Sequence, residues 1–548
     1  MTSLLSLMSL VSLEAACGTI RGFETGEGPL LRRVGIFGWG IVAPRSPNIA
    51  AFADNLSSSE SWLEPFNGFG PDNFLVGIPQ FSFEEYRGWI AERFPPSRFH
   101  SLTEKMDLPV RYAIGSFIQA LGQNPGLEQE LRSLETAAHV YMGTGIGCVD
   151  MISQQTRLLD RSQRRWDRFW AERNPALQEH RTRGGEAPGG APPDPATVAD
   201  PEDRYEAEAA WWHYWAASSP DLPRYLGELA AIEALNVQGE IERGKVRVLK
   251  EKQRQLRQLQ ECWQTPQPPW QSVSANLVWN IWNTPASQIS MLGHITGLAF
   301  APVGACSTFG VCLKLGMDAI RRGEAKAVVV GATDPPPLAL SVSAFYSARV
   351  ISADASVSKP LTGLRGTHVA GGSVLWILGD HEYMTAKGFK PVGMEPVSVG
   401  VSSDADHIIT PSVEGPSAAI RNALAEAGVR PEELATWDLH ATATPGDYRE
   451  IETLRGLLPD SVLVTARKGT FGHGMSAGGG WELTAQYLGY ERGRLYPTPL
   501  HRPELNEEIE KLHSAYVFDE PCKATKGAAG KLSMGIGGIN ACVISRPW

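Results

Sequence analysis

A cysteine near the middle of the chain has the surroundings of a covalent catalyst. Cys306 lies in residues 304–310, where a turn of small residues runs into the start of a predicted helix. The free N–H groups and partial positive charge of a helix N-terminus lower the pKa of a thiol. A thiolate there can attack an acyl thioester and hold the acyl group covalently. Alone, this signal is weak, because a cysteine beside a helix is more often structural.

Two histidines occupy loops of similar character later in the chain. His440 follows a predicted strand and precedes the hydroxyls of Thr442 and Thr444, and His473 lies in the glycine-rich residues 468–480. One cysteine with two histidines in such loops is a much narrower pattern than any of the three alone. The pattern predicts a Cys–His–His site. No metal is expected, because both histidines are assigned to the Cys–His–His site and no cluster of other metal ligands accompanies them. No resident cofactor is expected either.

The segments around these residues alternate between strand and helix patterns. Strands are predicted at residues 33–44, 139–147, 326–331, 436–439 and 461–465, and a strand–glycine turn–strand unit at 531–545. Helices are predicted between Cys306 and Lys326 and at residues 417–427 and 451–458. Such alternation predicts an α/β fold whose sheets are covered on both faces.

Residues 155–270 break this rhythm and predict an inserted, mostly helical subdomain. Two basic flanks, residues 161–183 and 241–263, each carry seven Lys or Arg against three acids, and residues 184–201 between them are rich in Pro and Gly. The second flank has the spacing of an amphipathic helix, whereas the middle is expected to be a mobile loop. The tryptophans of this region are expected to form its own small core: Trp166, Trp170, Trp211, Trp212 and Trp215.

Composition excludes several classes of protein. The 548 residues are too many for one simple core, and 43% are hydrophobic. A net charge of −10 argues against a surface made for nucleic acid. No apolar run approaches the ~20 residues needed to span a bilayer. The seven dispersed cysteines form no C-x-x-C pair and indicate the thiols of a reducing compartment, so a cytoplasmic location is expected.

The N-terminus has two interpretations. Residues 3–16 are apolar enough for a signal-peptide core, but no Lys or Arg precedes Arg21. A flexible leader over residues 1–30, or an apolar helix lying on the body, is therefore favoured over export.

Taken with their motifs, these residues resemble the β-ketoacyl synthases of the thiolase-like superfamily. The matching segments are ACSTFG around Cys306, HATATPGDYRE from His440, KGTFGH ending at His473 and GIGGIN from Gly535. They follow the family's order over roughly residues 30–150 and 270–548. The resemblance implies two similar βαβαβ halves, residues 31–388 and 389–548, with sheets sandwiched between helices in αβαβα layers and the insertion within the first half.

The resemblance also implies a role for each catalytic residue. Cys306 takes an acyl group from an acyl carrier protein or coenzyme A. His440 and His473 hydrogen-bond the thioester carbonyl of a malonyl-type extender and stabilise the enolate formed as carbon dioxide leaves. Lys468 and Glu482 form a pair that fixes the histidine loop. The oxyanion on the acyl group is held by the N–H of Cys306 and one N–H from residues 535–538.

Substrate contacts follow from the same resemblance. Thr442 and Thr444 hydrogen-bond a phosphopantetheine arm that arrives with the substrate. Ile536 stands at the family's gating position in the turn with Gly537 and Gly538, and Ile146 and Phe309 lie beside the acyl pocket. Several positions depart from the family pattern, among them Ala441, Ala443, Ala370, Leu361-Thr362 and Gly469. These departures leave every reacting group in place, but the identity of the acyl chain cannot be transferred from fatty-acid elongating enzymes.

Three functions therefore stay open. The leading one is decarboxylative Claisen condensation in fatty-acid or polyketide biosynthesis. The second is acyl transfer or non-decarboxylative condensation at Cys306, and the third is a non-catalytic partner subunit of a heterodimer. A homodimer is implied by the family, with a heterodimer as the alternative. The basic flanks of the insertion either dock an acidic carrier protein or neutralise the insertion's own acidic middle.

Overall fold

The computed structural model describes residues 32–70, 73–184, 189–236, 241–524 and 526–548, so the expected leader at 1–30 lies outside the described residues. Five strands form the first sheet: β1 (Val34–Val42), β2 (Ala138–Gly143), β3 (Ala299–Phe300), β4 (Ala327–Asp334) and β5 (Gly372–Asp380). Their order is β1-β5-β4-β2-β3. β5 is antiparallel to both β1 and β4, while β2 is parallel to β4 and β3.

The second sheet repeats this plan. Its strands are β6 (Glu395–Ser403), β7 (Leu434–Asp438), β8 (Leu463–Thr465), β9 (Ala528–Gly535) and β10 (Ile539–Arg546), in the order β6-β10-β9-β7-β8. β10 is antiparallel to β6 and β9, and β7 is parallel to β9 and β8. The two sheets thus share strand order and strand direction, which confirms the prediction of two similar halves.

Helices cover both sheets. Those of the described residues are α1 (Ile49–Asn55), α2 (Arg87–Arg93), α3 (Ser97–Lys105), α4 (Leu108–Leu121), α5 (Leu127–Ser133), α6 (Val149–Glu172), α7 (Pro175–Arg183), α8 (Pro201–Ala217), α9 (Asp221–Glu233), α10 (Ile241–Trp263), α11 (Thr284–Gly293), α12 (Thr308–Arg321), α13 (Ala339–Ser347), α14 (His381–Ala386), α15 (Glu414–Ala427), α16 (Gly446–Arg455), α17 (Lys468–Phe471), α18 (Met475–Glu491) and α19 (Glu507–Leu512). None of these helices is both long and apolar enough to cross a membrane.

The helices and sheets stack in five layers. α4 and α11 pack their apolar faces on the outer side of the first sheet, and α15 and α16 cover the outer side of the second. α12 and α18 lie between the two sheets and supply side chains such as Phe309 and Trp481 to the central core. The predicted αβαβα layering is confirmed, and its middle layer contains the two helices that follow Cys306 and His473.

Glycines allow the central elements to approach closely. The first two turns of α18 contain a run of three glycines, Gly478 to Gly480. A Cβ at Gly480 would lie 2.5 Å from Val374 and 2.8 Å from Phe309, closer than real Cβ contacts. On the facing helix, a Cβ at Gly310 would lie 2.6 Å from the Cβ of Ala541. Backbone therefore meets neighbouring side chains directly where the two halves join.

The insertion has a core of its own, as the sequence predicts. Trp166 and Trp170 of α6 pack with Trp211 and Trp215 of α8 and with Tyr225 of α9. Burying large aromatic side chains from several helices in one cluster stabilises a small subdomain without help from the main core. Of the predicted loop at 184–201, the described part contains a short 3₁₀ turn at Pro195–Thr197, while residues 185–188 lie outside the described residues.

Candidate active site

One cavity of 370 Å³ is lined by the cysteine and both histidines that the sequence singles out. Cys306, His440 and His473 line it together, although they come from three separate segments of the chain. Each is at least nine-tenths buried. The two imidazole rings stand nearly perpendicular, with ring centroids 5.5 Å apart. A thioester that enters this cavity therefore meets all three side chains at once.

A tight turn presents the cysteine. Ala305 takes a left-handed conformation (φ 48°), and Cys306 sits in the 3₁₀ turn Ala305–Ser307 that leads into α12. The hydroxyl of Ser307 donates to the carbonyls of Ser533 and Ile539, at 3.0 and 2.8 Å. These carbonyls flank the β9–β10 turn, so the nucleophile of the first half is tied to the second half.

The thiol itself is neutral in the free protein. Burial raises the pKa of Cys306 to about 11, and the N–H groups of Ile536 and Cys306 and the ammonium group of Lys468 offset only part of this effect. The expectation that the helix start lowers the pKa is therefore wrong, because desolvation outweighs the helix. The same two N–H groups face the sulfur atom, where they can hold an oxyanion formed on a bound acyl group.

His473 is held as a neutral donor. Its Nδ1 accepts a hydrogen bond of 3.1 Å from the N–H of Met475, so the proton of the neutral ring lies on Nε2. Burial, with the positive charge of Lys468, lowers the pKa of His473 to about 3. The backbone N–H of His473 also donates to the carbonyl of His368 at 2.6 Å, which fixes the loop.

His440 is placed by its backbone. Its N–H and that of Ala441 donate to the two carboxylate oxygens of Glu450, at 2.7 and 2.8 Å. The ammonium group of Lys468 donates to the His440 carbonyl. Burial and the charge of Lys468 lower the pKa of His440 well below its usual range. Both imidazoles are therefore uncharged N–H donors at neutral pH.

The two threonines line the same cavity. The Thr442 and Thr444 hydroxyls lie 2.9 Å apart. The carboxylate of Asp447 accepts from the N–H groups of Thr442 and Ala443, at 2.7 and 3.1 Å, and holds this loop in shape. Burial raises the pKa of Asp447 to about 6. The hydroxyls remain available to amide groups of a ligand.

The Lys468–Glu482 pair forms as the resemblance implies, at 2.8 Å, with both side chains almost fully buried. The other carboxylate oxygen of Glu482 lies 2.7 Å from the ammonium group of Lys531. Sequence reasoning missed Lys531, although a lysine inside the apolar strand β9 is a usable signal of a buried charge.

Asp334 was missed as well. It lies at the end of β4, and one of its carboxylate oxygens accepts from the N–H groups of Gly145 and Ile146, both at 2.9 Å. The other accepts from the N–H of Ser476 at 2.8 Å. Asp334 thereby joins the turn after β2 to the start of α18, immediately beyond His473. An acid at the end of an apolar strand is the sequence signal for such a residue.

The remaining predicted substrate contacts divide into two groups. Ile536 lines the cavity, and its turn is built by Gly537 and Gly538, whose φ values of 94° and 75° suit glycine. Phe309 and Ile146 are not among the lining residues of this cavity. Phe309 packs edge-on against Trp376 in the core, at 4.9 Å between ring centroids. Ile146 packs in a small apolar cluster behind the turn after β2.

Among the described residues, no group of three or more His, Cys, Asp or Glu side chains is arranged to hold a metal ion. The described cysteines are all free thiols. The reactive groups at this cavity are the cysteine thiol, the two neutral imidazoles and the backbone N–H groups at the sulfur atom.

Two family descriptions match the chain. Residues 243–379 match "Beta-ketoacyl synthase, N-terminal domain", and residues 395–501 match "Beta-ketoacyl synthase, C-terminal domain". The two matches contain Cys306, His440 and His473.

Individual relatives agree with these descriptions. Nodulation protein E of Rhizobium meliloti is 29% identical over 222 residues, which are 40% of this chain and 55% of that protein. The chloroplastic 3-oxoacyl-[acyl-carrier-protein] synthase I of Arabidopsis thaliana is 29% identical over 204 residues, covering 35% and 43%. The chain spans about half the length of these curated relatives.

Solved structures match over nearly the whole chain. The ishigamide ketosynthase/chain length factor superposes with a TM-score of 0.64 and 18% identity, covering 94% of this chain and 99% of that one. A β-ketoacyl synthase from Burkholderia phymatum STM815 gives a TM-score of 0.64 and 16% identity, covering 94% and 100%. This chain therefore shares the five-layer fold of these solved structures. The segments that match the family descriptions, residues 243–379 and 395–501, are similar to β-ketoacyl synthases.

Proposed function

We propose that this protein is a condensing enzyme that joins a Cys306-bound acyl group to a malonyl thioester with loss of carbon dioxide. The observation that carries the proposal is the single cavity lined by Cys306, His440 and His473. The N–H groups of Cys306 and Ile536 face the sulfur atom of that cysteine. A pure acyltransferase needs the cysteine and the N–H pair but has less use for two neutral imidazoles.

In the first step, the Cys306 sulfur attacks the carbonyl carbon of an acyl thioester. A new carbon–sulfur bond forms, the donor's carbon–sulfur bond breaks, and the proton of Cys306 ends on the departing thiol. The two N–H groups at the sulfur stabilise the oxyanion of the tetrahedral intermediate. Because the thiol is neutral in the free protein, its proton must leave as the new carbon–sulfur bond forms and pass to the departing sulfur.

In the second step, the malonyl thioester places its carbonyl oxygen between the two imidazoles. The bond to the carboxylate breaks, carbon dioxide leaves, and the electron pair moves onto that oxygen as an enolate. The Nε2–H of His473 and an N–H of His440 stabilise this charge. The enolate carbon then attacks the acyl carbonyl on Cys306. The new carbon–carbon bond expels the cysteine thiolate, which takes up a proton from water.

The thioester is delivered on a phosphopantetheine arm. Its amide groups match the hydroxyls of Thr442 and Thr444, which line the approach to the histidines. The arm arrives with a carrier protein or coenzyme A, so the enzyme itself needs no resident cofactor.

The decisive experiment is intact-protein mass spectrometry after incubation with a panel of acyl thioesters. An acyl adduct on the wild type but not on Cys306→Ala, discharged by malonyl carrier protein with release of carbon dioxide, is the expected result. Adduct formation without malonyl-dependent discharge would replace condensation by acyl transfer. No adduct from any donor would indicate a non-catalytic subunit.

For the carrier protein, we propose a docking surface on the insertion. α6 and α8 flank a groove of 520 Å³ lined by five arginines and only two acids. The arginines are Arg157, Arg161, Arg164, Arg165 and Arg168. The guanidinium group of Arg164 lies 3.7 Å from the Tyr205 ring centroid, which limits its motion before binding. A cationic groove with restrained side chains fits the acidic face of a carrier protein.

Local contacts argue against simple neutralisation by the acidic middle of the insertion. Asp194 and Asp200 cap the turns and helices that follow them. On α10, Lys252 and Arg254 pair with Glu233 and Glu251. In the α6 groove, Arg164 and Arg168 pair with Asp160 and Glu172. Among the described residues, however, Arg157, Arg161 and Arg165 form no ion pair, so this one groove keeps three unneutralised arginines. The α6 groove is therefore the better docking surface of the two basic flanks.

Charge reversal tests this docking surface. The double change Arg161→Glu and Arg165→Glu should raise KM for a carrier-bound substrate about tenfold or more, because steering and docking are lost. A small acyl thioester should keep its kcat/KM, and Arg132→Glu on α5 serves as the matched surface control. An unchanged KM for the carrier-bound substrate would remove this surface from consideration.

A second copy of the chain is the proposed partner for another exposed surface. β3 is an edge strand of the first sheet, and unpaired edges are usually covered. Large apolar side chains near it in the chain are about half exposed: Trp279, Ile281, Trp282, Leu298 and Val303. Light scattering on a sizing column should give twice the chain mass, and Leu298→Glu should reduce it. A wild-type monomer would instead favour a different chain as partner.

A further inference from the structure

Five buried charged groups run in an alternating line beneath the active site. The Arg467 guanidinium lies 2.9 Å from the Asp438 carboxylate. The Lys531 ammonium group lies 3.7 Å from Asp438 and 2.7 Å from Glu482. Glu482 in turn pairs with Lys468 at 2.8 Å. None of the five side chains is more than 3% exposed. Removing one partner would leave a buried charge unpaired, which costs far more than breaking a surface ion pair.

Lys531 also touches the backbone on both sides of this line. Its ammonium group donates to the carbonyl of Leu439 at 3.1 Å, and to the carbonyl of Leu532 on its own strand at 2.6 Å. Lys468 donates to the next carbonyl, that of His440. Two lysines that share Glu482 therefore hold the consecutive carbonyls that lead into the His440 loop.

The position of Lys531 along the chain links two parts of the cavity. It lies on β9, the strand that leads into the turn of Ile536, whose N–H faces the Cys306 sulfur. Through the Leu439 carbonyl it reaches the end of β7, after which His440 follows. A cation at this point holds the N–H of Ile536 and the His440 side chain in fixed relative positions, although the two residues follow different strands.

We propose that Lys531 is a positioning residue for the condensation, which ties the His440 loop to the Ile536 turn through Leu439 and Glu482. The proposal rests on the proposed function. It concerns a residue outside every motif by which the chain resembles its family.

The same geometry has an electrostatic consequence. The charged groups that face the two histidines are Lys468, Lys531 and Glu482. The ammonium group of Lys531 adds to burial and Lys468 in lowering the pKa of both imidazoles, while Glu482 opposes this effect at His473. Protonation of His473 would place a second N–H against the N–H of Met475, so a neutral ring preserves the loop.

Two variants test the proposal by the pH dependence of malonyl-thioester decarboxylation. Lys531→Met should lower kcat about tenfold or more with little change in KM. As the pH is lowered, the activity of the variant should also be lost at a higher pH than that of the wild type. The reason is that an imidazole that loses a cationic neighbour takes up a proton more readily. Lys531→Arg keeps the charge and should restore the wild-type pH profile. Lys326→Met, which removes a lysine paired with Asp380 in the first half, is the matched control.

Histidine titration by NMR measures the same effect without catalysis. The signals of His440 and His473 should titrate at higher pH in Lys531→Met than in the wild type and stay unshifted in Lys326→Met. If Lys531→Met fails to fold, the double variant with Lys531→Met and Asp438→Asn takes its place in both experiments. The double variant removes one buried charge of each sign. Unchanged titration and an unchanged pH profile would overturn the proposal. A wild type that never decarboxylates would reject the proposed function alone, since the NMR result still decides the role of Lys531.

Discussion

The two halves of the molecule share one strand order, yet they hold different kinds of buried group. The first half presents the cysteine from a turn whose neighbouring acid, Asp334, accepts hydrogen bonds from backbone N–H groups and from the Thr144 and Ser476 hydroxyls. The second half buries three cations and several carboxylates around its histidines. The two halves thus share a fold but surround the cysteine and the histidines with different electrostatic environments.

Both environments favour neutral reacting groups. Burial raises the pKa of Cys306 and lowers the pKa of His440 and His473. A free thiolate in a closed cavity would be costly, and a protonated imidazole would lose its loop contact. A negative charge therefore develops in the site only when a thioester substrate reacts. The reactions of the cysteine and of the two histidines should be separable by mutation, because these residues belong to different halves.

The largest expected effect comes from removing the nucleophile. Cys306→Ala should lower condensation at least about a thousandfold, because no acyl-enzyme can form. Decarboxylation of a malonyl thioester should persist within about tenfold, because its histidines belong to the other half. Rates of both reactions check this, with Cys312→Ala on the following helix, α12, as the control. Parallel loss of both reactions would contradict a division of labour.

The reciprocal change comes next. His473→Ala should lower decarboxylation about 10²- to 10³-fold, since one donor to the enolate is lost. Acyl transfer to Cys306 should continue, because the N–H groups of Cys306 and Ile536 remain. Mass spectrometry of the acyl adduct measures the reaction of Cys306, in the first half, alone. A variant that no longer acylates would show that the histidine also acts on the cysteine.

The state of the thiol gives a third prediction. In the free enzyme, alkylation of Cys306 by iodoacetamide should accelerate about tenfold per pH unit from pH 7 to 10, because the pKa is raised to about 11 and the thiolate is a minor form throughout. Peptide mass spectrometry identifies the labelled cysteine. A rate that levels off below pH 8 would mean that the helix start outweighs burial.

The smallest catalytic effect is expected from the insertion. Trp170→Ala should destabilise the insertion by about 3–5 kcal/mol, the usual cost of removing a buried tryptophan. Because its core is separate from the main one, kcat with a small thioester should not change. Thermal unfolding followed together with activity checks this, and Trp270→Ala, at a half-exposed position, is the milder control.

Sequence alone predicts the parts of this molecule that depend on local pattern. Apolar runs and glycine turns place β1, β4 and the β9–β10 unit to within about three residues at each end, and the tryptophans of residues 166–215 predict the core of the insertion. The same signals place Cys306, His440 and His473 in loops, and the family resemblance brings them together.

What the sequence does not reveal depends on contacts between distant segments. Asp438 and Lys531 each look like isolated polar residues, and only the pairing of β7 with β9 brings them together. The pKa of Cys306 is another example, because the helix start is visible in the sequence but the cover supplied by the second half is not. Phe309 illustrates a third case, since its neighbours decide whether it borders the cavity or the core.

The glycines near the start of α18 affect how precisely the active site is held. Where side chains separate two elements, their rotamers and thermal motion set the spacing between them. At Gly479 and Gly480 the backbone itself is the spacer, with Ser533, Val374 and Phe309 within contact of the missing Cβ atoms. The distance between the segments that carry Cys306 and His473 is therefore set by the covalent geometry of the backbone. Side chains in the outer layers can then vary freely while the gap between nucleophile and imidazole stays constant.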